Sequence, residues 1–143
     1  MLLINGCNAM GQPMENLGAQ QDQACRNTIK KLYTIGTYCP NNLEALENLF
    51  TDSFNDNFPR SLDVCQAIQS YKIIRLLSSD EPSFLPPHPT YQRPPNVLEY
   101  FVEVEIQPQP GKSMPGNNPS YLWATMKVNK AGECKVDNLS GGG

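Results

Sequence analysis

From Val97 to Gln107 the chain alternates without interruption: Leu98, Tyr100, Val102, Val104 and Ile106 fall on one side, and Glu99, Phe101, Glu103 and Glu105 on the other. Successive side chains of an extended backbone point to opposite sides, so this period of two is that of a strand with one buried face. Such a strand needs partners. Tyr71 to Leu77 has strand character, and Ser120 to Asn129 repeats the alternation with Leu122, Ala124, Met126 and Val128 inward. Lys130-Ala131-Gly132-Glu133 then turns the chain into a last strand, Cys134 to Ser140, which makes a hairpin. Two proline-dense connections, 80–96 and 108–119, separate the strands. Connections of that length without an element of their own are uncommon and tend to be functional or disordered.

Ahead of the strands the period is helical. Cys25, Ile29, Leu32, Ile35 and Cys39 lie along one stripe of a first long helix, which Pro40 ends. Asn41 with Glu44 three residues on starts a second helix, its inward stripe Leu43, Leu46, Leu49, Phe50 and Phe54, and Pro59 breaks it. Ser61 caps a short third helix carrying Leu62, Cys65 and Ile68. The expected class is α+β, three N-terminal helices packed on an antiparallel sheet. A chain of 143 residues suits one domain. It is placed at 20–143, after a flexible segment over 1–19 that lacks an apolar period. A net charge of −3 argues against nucleic acid as a partner, and no apolar run approaches the roughly 18 to 20 residues that span a bilayer.

Five cysteines constrain the compartment. Cys7 follows Leu3-Ile4-Asn5-Gly6, which resembles the lipobox of bacterial lipoproteins, where a small residue precedes a cysteine that becomes acylated. The resemblance implies a lipid anchor at Cys7 and an extracytoplasmic, envelope location; the alternative is a free thiol in a loose terminus. Cys25, Cys39, Cys65 and Cys134 are then available for two disulfides, or stand as buried thiols. On one continuous helix Cys25 and Cys39 would be ~20 Å apart. That is well beyond the roughly 7 Å a disulfide tolerates, so Cys65 and Cys134 are each expected to bond one of them. No Cys-x-x-Cys occurs and His88 sits alone in a proline-rich loop, so no metal or other cofactor is expected.

The order of elements, closing on Gly132-Glu133-Cys134-Lys135-Val136-Asp137, resembles the nuclear transport factor two-like superfamily, over roughly residues 20–141. The resemblance implies a strongly bent, cone-shaped sheet around the first helix with a pocket at the open end. It does not imply catalysis, since the fold hosts enzymes and binding modules alike. Catalytic relatives place an Asp or His, often with a Tyr, inside the cone, and Asp137 and His88 do not match those places. An isomerase-like or hydratase-like enzyme is therefore the minor alternative.

Two functional readings remain. The first is a non-catalytic interaction or accessory domain that self-associates or docks on a protein partner through Phe101, Tyr121 and Trp123, aromatics on the otherwise polar phase of neighbouring strands. A proline-rich loop folded over these rings would instead hide them. The second is a small hydrophobic ligand in a pocket lined by Tyr33, Phe54, Phe58, Tyr100 and Met126, for which a filled core is the competing explanation.

Overall fold

The computed structural model describes residues 14–36, 42–54, 67–92, 97–113 and 118–141. Its elements in chain order are α1 (Met14–Ile35), α2 (Leu43–Glu47), β1 (Ile68–Ser78), β2 (Leu98–Pro108), β3 (Ser120–Val128) and β4 (Cys134–Gly141). The four strands form one sheet in the order β1-β2-β3-β4, every neighbouring pair antiparallel.

Cys25, Ile29, Leu32 and Tyr33 of α1 are buried, spaced so that they share one face of the helix. That face packs on the inner sides of the strands, where Tyr100, Val102, Val104, Ala124, Met126 and Val136 complete the core. The helix reaches both outer strands. Arg26 Nη1 donates to the Leu76 carbonyl of β1 at 2.9 Å, and Thr28 Oγ1 donates to the Cys134 carbonyl of β4 at 2.6 Å. A disulfide joins Cys25 to Cys134 across a Cα separation of 5.0 Å. Such a bridge belongs to an oxidising, extracytoplasmic environment. No helix among the described residues is long and apolar enough to cross a membrane.

The expected arrangement of three helices on a sheet is corrected: the described residues hold one long and one five-residue helix, and most of the ordered structure is sheet. α1 starts at Met14, so part of the segment expected to be a tether is helical. It ends before Pro40, because Gly36 adopts φ +91° and its amide closes back on the Leu32 carbonyl at 3.0 Å. Glycine reaches this left-handed backbone without a Cβ penalty, which makes it a helix stop.

α2 stops at Glu47, short of the predicted stripe, although Leu46, Leu49 and Phe50 are buried as expected. The backbone beyond it is claimed by β4: Val136 N donates to Leu49 O at 2.7 Å and Thr51 N to Val136 O at 2.9 Å. This parallel bridge pairs the outer backbone groups of β4 at Val136, which would otherwise stand open at the sheet edge. The predicted third helix falls mostly outside the described residues, and its inward Ile68 is instead the first residue of β1.

The strands lie where the alternation predicts them. A register shift between Ile73 and Arg75 leaves Ile74 out of step with β2 and 47% exposed. Asn129 shapes the β3–β4 turn, its side-chain oxygen accepting from the amides of Ala131 (3.0 Å) and Glu133 (2.9 Å), while Gly132 takes φ +85°. Asn118 closes the β2–β3 connection, its side-chain amide bonding both the N–H and the C=O of Ile106.

Candidate interaction surface

The outer face of the sheet is built by register. Leu77, Phe101, Trp123 and Ser140 form one row across the four strands, with Arg75, Glu103 and Tyr121 in the next. Cross-strand neighbours on one face interact directly, so the three aromatics meet. Phe101 lies 5.6 Å from Trp123 and 5.9 Å from Tyr121 between ring centroids, and Tyr121 meets Trp123 edge to face at 5.5 Å. The Arg75 guanidinium stands 5.2 Å from the Phe101 centroid and its Nε donates to Glu103 Oε1 at 2.7 Å. A cation over an aromatic face is held by the ring quadrupole, and here its carboxylate partner is on the same surface.

The proline-rich segment after β1 folds onto this face. Trp123 Nε1 donates to the Leu85 carbonyl at 2.7 Å, and the Tyr91 hydroxyl donates to the carboxylate of Glu99. Glu99 is therefore not the solvated acid its place among acidic neighbours suggests: it is 7% exposed. The segment is pinned at its start by Glu81, whose Oε2 accepts from Ser78 N and Arg26 Nη2, each at 2.7 Å. These donors hold the Glu81 carboxyl below the ordinary carboxylate range, the Ser78 amide contributing most.

Cover and exposure divide the predicted trio. Phe101 is 2% exposed and Trp123 is half-buried, whereas Tyr121 is 39% and Leu85 43% exposed. Both the open-patch and the folded-loop expectations therefore describe part of the surface. The loop lies over one end of the sheet, and Tyr121 stays open beside it.

On the inner face a second polar cluster was not foreseen. Tyr100 Oη donates to Asp22 Oδ1 at 2.7 Å, and Asp22 Oδ2 accepts from Arg26 Nε at 2.9 Å. Burial, reinforced by the Asp22 carboxylate, raises the Tyr100 hydroxyl far above its usual range, so it stays protonated and donates to Asp22. Asp22 stands one turn before Cys25 on the same helical stripe and Tyr100 is on the inward phase of β2. Those two positions were the available signal.

Of the five expected pocket residues, four lie among the described residues. Tyr33, Tyr100 and Met126 are buried in the core, and Phe54 stacks on Phe50 at 4.1 Å. Tyr33 borders a recess of about 370 Å³ between α1 and β1, Tyr100 one of about 300 Å³, and Met126 one of about 660 Å³. Burial, with Tyr71 at 5.3 Å, pushes the Tyr33 hydroxyl upward. His88 is exposed with its ring against Tyr91, and Asp137 is tied to Thr51 and Ser53 at the sheet edge. Phe58, Cys7, Cys39 and Cys65 lie outside the described residues. No family model, no curated protein and no solved structure matches this chain.

Proposed function

We propose that this chain is a non-catalytic protein-interaction domain working outside the reducing cytoplasm, and that it associates through the outer face of its sheet. One observation carries the reading: Tyr121 and Leu85, large apolar side chains 39% and 43% exposed, flank the Trp123 indole above a buried Phe101. Aromatic and arginine side chains over a packed apolar base, rimmed by charge, are what the centre of a protein contact looks like. Arg75 and Glu103 supply the charged rim.

A photo-reactive phenylalanine placed at position 121 tests this in the native host, with position 31 on exposed Lys31 of α1 as the control site. Adducts to protein at 121 and few at 31 are the expected result. Equal labelling at both sites would end the reading.

The same proposal includes a lipid anchor at Cys7, supported by the lipobox-like Leu3-Ile4-Asn5-Gly6 before it. It includes a second disulfide between Cys39 and Cys65, the two cysteines that remain once Cys7 carries the anchor and Cys25 and Cys134 are joined. Intact mass of native material reads the first as a diacylglyceryl increment, and a bare thiol at Cys7 excludes it. Non-reducing peptide mapping reads the second.

A further inference from the structure

We propose that the recess between α1 and β1 binds a small amphiphilic anion, a monocarboxylate with an apolar tail, whose carboxylate takes the Tyr33 hydroxyl and the Lys30 ammonium. The recess lies on the inner side of β1, away from the outer face, so the inference goes beyond the interaction reading and does not rest on it.

An orphaned hydroxyl points to the ligand. Tyr33 is 8% exposed, and among the described residues nothing pairs with its Oη. Buried polar groups without a partner are costly, and native folds keep few of them. The same fold satisfies its other buried phenol, since Tyr100 Oη donates to Asp22 at 2.7 Å. Tyr33 has no such carboxylate. It borders the recess of about 370 Å³ instead, with Tyr71 edge to face at 5.3 Å. Burial, with Tyr71 beside it, keeps the Tyr33 hydroxyl protonated, so it meets an anion as a donor.

The rest of the lining sets the sign and shape of what fits. Lys30 stands exposed at the rim and makes no ion pair among the described residues. Thr34, Tyr71, Ile73 and Leu76 complete the lining, which contains no acid. Thr34 Oγ1 already donates to the Lys30 carbonyl at 2.8 Å, so it does not compete for the ligand. Ile73 and Leu76 are packed against the core and form an apolar floor beside the Tyr71 ring. A cation would meet Lys30 and no counter-charge. A purely apolar ligand would leave the Tyr33 hydroxyl unpaired. A carboxylate on a tail answers both conditions, and the volume, at the lower end for small-ligand sites, suits a tail of roughly six to ten carbons.

Octanoate titrated into the full chain from about 0.05 to 20 mM, a range that covers weak affinities, tests the proposal, with octanol as the same tail without the charge. Backbone amide NMR is expected to show saturable shifts at residues 30–34 and 71–76. Octanol is expected to bind roughly tenfold more weakly, because it lacks the charge-assisted bond. Lys30→Gln, at an exposed position, is expected to weaken octanoate by roughly two- to fivefold and to leave octanol unchanged.

Tyr33→Phe keeps the ring and removes the orphaned group. It is expected to melt no lower than the parent and to bind octanoate roughly tenfold more weakly. That split separates a ligand contact from a structural one: a hydroxyl that supports the fold lowers the melting temperature when removed, whereas one that serves the anion lowers only the affinity. A Tyr33→Phe chain that melts below the parent overturns the proposal, as does octanol binding as tightly as octanoate. Absence of saturable shifts at 30–34 and 71–76 also overturns it, and the recess then holds water alone.

Discussion

Arg26 of α1 and Glu81 of the loop after β1 are joined by a 2.7 Å ion pair, and the same guanidinium also holds Asp22 and the Leu76 carbonyl. One side chain therefore fastens the helix to the end of β1 and to the proline-rich segment. Arg26→Met is expected to lower stability by about 1 to 2 kcal/mol, since the lost bonds are charge-assisted but partly open to solvent. Chemical denaturation measures it. A double-mutant cycle with Glu81→Gln should return a coupling below about 1 kcal/mol for the pair itself.

The Cys25 to Cys134 bridge closes a loop with a sequence separation of 109. Cross-linking a loop of this length restricts the unfolded chain strongly, so Cys25→Ala with Cys134→Ala should cost about 2 to 5 kcal/mol. The comparison is made by urea melts. Both Sγ positions lie in the buried core, so part of that loss will come from packing.

Acid should weaken the fold through two carboxyls. Burial works to raise Asp137, and hydrogen bonds from Thr51 and Ser53 with the Lys127 charge outweigh it, leaving the group below its usual value. Glu81 is lowered by Ser78 N–H and Arg26. A depressed folded-state value means the stabilisation is fully present above the unfolded value of roughly 4 and disappears as pH falls through the folded value. Melting temperature should therefore drop steadily below about pH 4, and Asp137→Asn should flatten part of that slope.

Tyr91→Phe removes the hydroxyl that bonds the buried Glu99 carboxylate. A loss of about 1 to 3 kcal/mol is expected, because the carboxylate would keep its burial and lose that donor. Hydrogen exchange should localise the change: the Tyr91 and Phe84 amides, bonded to His88 O and Glu81 O, should lose protection before those of β2.

The sheet was legible in the sequence because each strand buries one side, so Leu98 to Ile106 and Leu122 to Val128 record burial in every second residue. The helical region was less so. Leu46, Leu49 and Phe50 are spaced for a helix and are buried, but whether their backbone coils or extends is decided by Val136, far along the chain, which takes the Leu49 and Thr51 groups. Ile68 likewise reads as the end of a helical stripe and is drawn into β1 by pairing with β2. Glu99 and Phe101 illustrate the same limit at the surface. Alternation put them on the polar side correctly, but Phe101 is covered by its cross-strand neighbours Tyr121 and Trp123, and Glu99 is bonded by Tyr91 from a proline-rich stretch with no period of its own.

Joining a residue of the first helix to the first residue of the last strand also decides how the molecule would respond to a nick. A broad-specificity protease should cut within the exposed stretch from Leu85 to Thr90, between the two bridged sulfurs in the chain. The two pieces would migrate as one band without reductant and as two with it. Cleavage there would thus open the segment that Trp123 holds at Leu85 while leaving both halves tethered.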